Sequence, residues 1–195
     1  MKLYCATSNP GKVREFRMAA EHFGFPEIEI DLLPLLKSVP APEESGSTFE
    51  ENAVDKAVYY SRLSDLPVFA DDSGLEVDAL GGAPGVYSAR YAGPGCADAD
   101  NNRLLRERLA GKARRTARFV CVIAMAERER LLGVFRGAVE GRIIDEERGS
   151  RGFGYDPMFF YEPFGLTFGE ATDEQKMGVS HRGQALRAML ASLAK

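Results

Sequence analysis

The sequence predicts an α/β protein with a mixed sheet, folded as a single domain over residues 1–195. Three observations carry this. Short apolar segments pass through turn residues into stretches with a helical apolar period. Two apolar stretches late in the chain, 117–126 and 131–140, are separated only by a short polar break and read as an antiparallel pair. No repeat, linker or low-complexity segment divides the chain. A chain of this length buries about 70% of its unfolded surface, enough for a core without cross-links.

Taken in order, residues 2–6 read as a strand closed by the turn Ser8-Asn9-Pro10-Gly11. After Lys12 the period changes: Val13, Phe16, Ala20 and Phe23 share one helical face until Gly24 and Pro26 stop the helix. Residues 27–33 alternate as a second strand with Ile28, Ile30 and Leu32 inward, and residues 34–45 form a Pro/Glu-rich loop. Ser47-Thr48-Phe49-Glu50 has capping-box spacing and opens a helix through about residue 64, with Phe49, Ala53, Ala57 and Tyr60 as its apolar stripe. Residues 66–70 are a compact apolar strand ending at the turn-like Asp71-Asp72-Ser73-Gly74, and residues 75–80 alternate as another. A glycine- and proline-rich loop (81–95) and a helix (98–109) precede the strand pair, and a second glycine-rich loop (148–156) follows it. The last helix, 183–193, turns Ala185, Leu186, Met189, Leu190 and Leu193 inward.

Lys and Arg number 25 against 29 Asp and Glu, a net charge of −4, which argues against coating a nucleic-acid polymer. Cys5, Cys96 and Cys121 lack any CxxC or Cys/His spacing and read as reduced thiols. With only His22 and His181 available, a histidine-rich metal site is excluded. The longest apolar run, 119–126, is too short to cross a bilayer, so no membrane is expected. Met1-Lys2 leads straight into Leu3-Tyr4-Cys5-Ala6 and turn residues, with no signal-peptide apolar stretch, and the expected location is the cytoplasm.

Candidate chemistry collects at four places. Thr7, Ser8, Asn9, Pro10, Gly11 and Lys12 lie between a strand and a helix N-terminus, where backbone N–H groups and a lysine can cradle an anion; a plain turn whose Ser or Asn caps the helix is the alternative. There is no Walker A motif, no G-x-G-x-x-G and no G-x-S-x-G. Asp71 and Asp72 end an apolar strand, so one can face a crevice as metal ligand or general base while the other caps the loop; a turn with Asp as cap is the alternative. Glu43-Glu44 upstream can add hard oxygens or be a solvated acidic loop, and Asn52, Lys56 and Tyr59 share a helical face away from the apolar stripe. Late in the chain, Phe153 between Gly152 and Gly154 can stack on a flat ligand or plug the core, and Lys176 and Arg182 are pure donors. The basic stretch from Arg103 to Arg118 is diluted by acidic residues and reads as a solvated face.

Together these segments resemble the inosine triphosphate pyrophosphatase (Ham1-like) family. The resemblance rests on Thr7 to Lys12, Thr48-Phe49-Glu50-Glu51-Asn52-Ala53 with Lys56-Ala57, Ala70-Asp71-Asp72-Ser73-Gly74-Leu75, Gly81 to Tyr91, Gly152 to Pro157 and Ser180-His181-Arg182, in family order over nearly the whole chain. It implies two α/β lobes around a long central mixed sheet, with the active site in the cleft between them. It further implies Mg²⁺-dependent cleavage of aberrant purine nucleoside triphosphates (ITP, dITP, XTP) to the monophosphate and pyrophosphate, by a homodimer. By the same resemblance Asp72 is the general base, Glu44 and Asp72 the metal ligands, and Thr7 to Lys12 with Lys56 the phosphate site. Ser73 becomes a substrate contact, and Phe153, Gly154, Tyr155, Asp156, Lys176, His181 and Arg182 the base pocket. Two other readings share this pocket: a nucleotide-binding regulatory module that does not hydrolyse, and a Maf-like pyrophosphatase of modified nucleotides, which Phe153 and Ser180-His181-Arg182 disfavour.

Overall fold

The expected strand-turn-helix units assemble on a seven-stranded mixed sheet in the structure, a computed structural model that describes residues 1–193. Its strands are β1 (Lys2–Cys5), β2 (Glu29–Leu32), β3 (Val68–Val77), β4 (Thr116–Glu127), β5 (Arg130–Ile143), β6 (Phe159–Tyr161) and β7 (Leu166–Thr167). The helices are α1 (Pro10–His22), α2 (Phe49–Ser61), α3 (Asp98–Leu109), α4 (Asp173–Val179) and α5 (His181–Leu193). Strand order is β2-β1-β3-β4-β5-β6-β7, parallel across β2, β1 and β3 and antiparallel from β3 onward.

Side-chain alternation divides the core. On β3 and β4, Val68, Ala70, Val122 and Ala124 face α2, where they meet Ala53 and Ala57. Phe69, Ile123 and Met125 face the opposite side, against Phe16 of α1 and Leu186 and Met189 of α5. At the far end of the same long strands a third cluster, including Leu75, Leu105, Phe119, Phe159 and Phe168, builds a second lobe with α3, β6 and β7. Burying a side chain such as Phe69, fully enclosed here, is worth about 1.5–3 kcal/mol.

Several expectations need correction. The largest concerns Asp71-Asp72-Ser73-Gly74, which is the middle of the continuous ten-residue strand β3, neither a strand end nor a turn. Hence Asp71 caps no loop; it lies within the sheet. The reason is pairing: β4 meets β3 from Val68↔Ala126 to Val77↔Ala117 without interruption, which holds the polar stretch extended. The capping box lies one residue later than expected, with Thr48 as cap and Glu51 returning the bond, and α2 ends at Ser61, not near residue 64. Leu32 points outward at 49% exposure while Leu33 is buried, because the β2 alternation breaks where the strand stops. The short elements β6, β7 and α4 were not expected at all.

Unequal strand lengths position the site. β1 is only four residues long and pairs with β3 at Tyr4↔Val68 and Cys5↔Phe69 alone. Beyond Phe69 that edge of β3 has no strand beside it, and residues of the 81–90 loop approach instead. Ser88 Oγ accepts the Leu75 N–H (2.9 Å) and donates to the Gly85 carbonyl (2.6 Å). Gly74 permits this approach, since a Cβ there would lie 2.4 Å from Ser88 Oγ and 2.6 Å from the Gly85 oxygen. Gly74→Ala is therefore expected to lower stability by about 1–3 kcal/mol, read by chemical denaturation; an unchanged midpoint would remove this close packing from the account.

Candidate active site

The cleft between the lobes is built on the free edge of β3. Because neighbouring strand residues point to opposite faces, Asp71 and Asp72 serve two different sides of it. Asp71, with its partner Ser73 two residues on, faces α1 and α5. Its Oδ2 lies 2.8 Å from Lys12 Nζ and accepts from Ser73 Oγ at 3.1 Å. Burial pushes the Asp71 carboxyl up, but Lys12, Arg182 and Lys56 outweigh that and hold it at about 2. A folded value below the unfolded one makes the ionised pairs stabilising above pH about 4, with the contribution lost as pH falls through about 2. We expect the wild type to lose about 2 kcal/mol more than Asp71→Asn between about pH 5 and about pH 2 in urea unfolding; parallel curves would show that Asp71 gains nothing from its cations.

Asp72 faces α2. Its Oδ2 accepts from the Asn52 side-chain amide at 3.1 Å, and its Oδ1 meets Lys56 Nζ at 3.2 Å. Burial raises the Asp72 pKa despite Lys56 and Asn52, a direction that suits a group taking up a proton. Lys56 Nζ also reaches Glu44 Oε1 at 2.8 Å, and Arg90 Nη1 holds the other Glu44 oxygen at 2.9 Å. Two carboxylates from separate segments thus already converge on one cation. Glu44 and Asp72 are oxygen donors, and the described residues contain no cluster of three or more His, Cys, Asp or Glu fit to hold a metal. Such a sparse, hard set fits a cation that keeps waters and takes its remaining ligands from phosphate oxygens. Glu43, the alternative in the same loop, does not line the cleft.

The Thr7 to Lys12 segment is divided. Asn9 caps α1, its Oδ1 accepting from the Gly11 N–H (2.9 Å) and the Lys12 N–H (3.3 Å), so the helix-capping alternative describes its backbone. Asn9 and Lys12 line the cleft, whereas Thr7, Ser8 and Pro10 line a neighbouring cavity with residues 32–38. Gly11 packs against the Phe153 ring, where a Cβ would lie 3.1 Å from a ring carbon.

At the other end of the cleft, α1, α4 and α5 share a buried ion network. Lys176 Nζ meets Asp156 Oδ2 at 2.6 Å and Glu15 Oε1 at 2.9 Å, leaving one of its N–H donors uncommitted. Arg182 pairs with the other Glu15 oxygen and donates to Ser73 Oγ at 2.9 Å. Asp156 also takes the Phe153 N–H at 2.9 Å, and Gly152 lies so near that a Cβ would sit 2.0 Å from Asp156 Oδ2. Asp98 holds the Gly154 N–H at 2.7 Å, and the buried Tyr155 hydroxyl donates to the Ser88 carbonyl at 2.8 Å. Gly154, Tyr155 and Asp156 therefore brace the loop, while Phe153 offers its ring. His181 stacks on Phe119 at 4.9 Å. Burial, then Arg182, Lys176 and Lys12, drive its pKa far down, so the imidazole is neutral, and its Nδ1 has no hydrogen-bond partner among the described residues.

Sequence reasoning missed Glu15, Arg90, Asp98 and the anchoring role of Asn52. Glu15 stands three residues after Lys12 on the same helical side, a spacing that was available as a signal. Arg90 gives no local signal, because only the fold carries its loop to Glu44.

The Ham1 family model matches residues 3–192. The chain is similar to the dITP/XTP pyrophosphatase of an Exiguobacterium species, 48% identical over 99% of this chain and 97% of that one. It is likewise similar to the dITP/XTP pyrophosphatase of Thermus thermophilus, 47% identical over 97% of this chain and 90% of that one. Among solved structures, the Ham1 protein of Staphylococcus aureus matches with a TM-score of 0.87 and 40% identity, covering 100% of this chain and 98% of that one. A HAM1 protein from Coxiella burnetii matches equally well.

Proposed function

The chain belongs to the Ham1 family, and from that premise we propose that it hydrolyses aberrant purine nucleoside triphosphates, dITP, XTP and ITP, to the monophosphate and pyrophosphate. The observation that carries this reading is the polarity of one cleft. On one face of β3 Asp72, Glu44 and Lys56 gather carboxylates and an ammonium group; on the other Phe153, Lys176, His181 and Arg182 combine a flat apolar surface with donors, and Lys12 shares Asp71 with Arg182 there.

Lys12 and Lys56 draw in the polyphosphate and offset its charge as the transition state forms. A water oxygen bonds to the α-phosphorus, the bond to the bridging oxygen breaks, and pyrophosphate leaves. Asp72 accepts the proton of that water. Glu44 and Asp72 would hold Mg²⁺, which when bound would supply positive charge to the phosphate oxygens and to the leaving pyrophosphate. The base lies against Phe153, and Arg182 or a backbone N–H donates to a 6-keto oxygen; an adenine 6-amino group would leave that buried donor unpaired. Ser73 completes the substrate surface in this reading, and of the Thr7 to Lys12 segment Asn9 and Lys12 are the residues that reach it.

We assign the enzyme a homodimeric form and a cytoplasmic location; no helix among the described residues is long and apolar enough to cross a membrane. Product analysis over dITP, XTP, ITP, ATP, GTP and modified pyrimidine triphosphates tests the reading. Pyrophosphate, without orthophosphate, from the 6-keto purines outside the standard set is the expected result. Thermal stabilisation by dITP without product would favour a binding module instead.

A further inference from the structure

Asn52 occupies a position that a helix does not favour and does not explain. It is the fourth residue of α2, buried at 1% exposure, where asparagine is a weak helix former. Its amide is nevertheless engaged at both ends. Oδ1 accepts the Gly46 N–H at 2.9 Å and Nδ2 donates to Asp72 Oδ2 at 3.1 Å. A backbone N–H can only donate, so Gly46 dictates which end of the amide turns toward it. The donor end must then face Asp72.

The surroundings make this bridge rigid. Glu51 Oε2 takes the N–H groups of Ser47 (2.6 Å) and Thr48 (3.2 Å), so residues 46–48 are all stapled to the first turn of α2. Gly46 packs so tightly that a Cβ would lie 2.6 Å from Asn52 Oδ1 and 2.8 Å from Glu51 Cβ. Glu44 lies two residues upstream of this staple.

One helical turn after Asn52, Lys56 makes a parallel bridge from Glu44 to Asp72 Oδ1. The two bridges differ in kind. Lys56 carries a point charge on a flexible stem that a polyphosphate attracts, whereas Asn52 is a neutral, buried side chain with both ends of its amide dictated. We propose that Asn52 is a positioning residue that clamps Gly46 to Asp72, so that the Glu44 and Asp72 carboxylates keep their spacing when Lys56 turns to substrate. This inference rests on the functional reading above and adds to it a residue that touches neither phosphate nor base.

Two variants separate the arms of the clamp. Asn52→Leu removes both, while Asn52→Asp keeps an acceptor for Gly46 and loses the donor to Asp72. Hydrogen exchange over residues 42–48 in the free protein is one readout, and kcat and KM for pyrophosphate release from dITP the other. For Asn52→Leu we expect exchange in that segment to rise by about tenfold or more. We also expect kcat to fall by about 30- to 100-fold with KM within about threefold. Asn52→Asp should keep the wild-type protection yet still lose turnover. Wild-type protection in Asn52→Leu, or a kcat within about twofold in both variants once corrected for folded fraction, overturns the clamp. Should the wild type release pyrophosphate from none of these triphosphates, the functional reading fails, and the exchange result still decides whether Asn52 holds the loop.

Discussion

Asp72→Asn is expected to reduce pyrophosphate release from dITP by about 10³-fold or more while leaving the protein folded and able to bind nucleotide. The substitution removes the proton acceptor and one of the two carboxylates proposed for the cation, so both contributions are lost together. Stability should survive, for a reason visible in the site. Burial raises the Asp72 pKa, so the folded protein gains little from its charge, and a neutral amide of the same shape can still accept from Asn52. Lys56 retains Glu44 as partner. The measurements are steady-state pyrophosphate release, a thermal midpoint and dITP titration. Activity within about tenfold of wild type, with these controls normal, would take Asp72 out of the reaction.

Arg182→Ala is expected to collapse base discrimination, cutting the dITP-to-dATP ratio of kcat/KM by about 10- to 100-fold, mostly through loss of dITP turnover. The guanidinium is buried at 3% exposure and held from two sides, by Glu15 and by Ser73, with Asp71 beyond. A guanidinium so tethered keeps a fixed orientation, which is what discrimination by one hydrogen bond requires. Its loss does not orphan its partners, because Glu15 keeps Lys176 and Asp71 keeps Lys12. The destabilisation should therefore stay below the about 3–5 kcal/mol of a fully orphaned buried charge. Arg182→Lys, which keeps the charge without the fork, should recover stability but not the ratio. An unchanged ratio in both variants would move base selection to Lys176, His181 or the backbone.

Elements whose signal is local were legible in the sequence. The 98–109 helix coincides with α3, and Val13, Phe16 and Ala20 of α1 and Leu186, Met189 and Leu190 of α5 are buried as their period requires. Where two local solutions were nearly equal, the fold chose between them. Ser47 and Thr48 can both cap, and Glu50 and Glu51 can both return the bond; the register that buries Phe49 is the one adopted. Seven mostly polar residues hid α4, because its reason to exist is a buried lysine held by two carboxylates from elsewhere.

Residue types and their spacing determined that this is an α/β chain and marked Lys12, Lys56, the Asp71-Asp72 pair, Phe153, Lys176 and Arg182 as candidates for its chemistry, while the family resemblance alone added His181, chose Asp72 and gave each a role. Tertiary structure alone decided how they combine. Asp71-Asp72-Ser73-Gly74 has the composition of a turn, yet β4 holds it extended while Lys12 on one face and Lys56 on the other supply the countercharge that makes burial of two carboxylates tolerable. Those lysines, and Glu15, Glu44 and Arg90 with them, come from segments distant in the chain. Electrostatic energy depends on separation in space, and separation in space is set by packing.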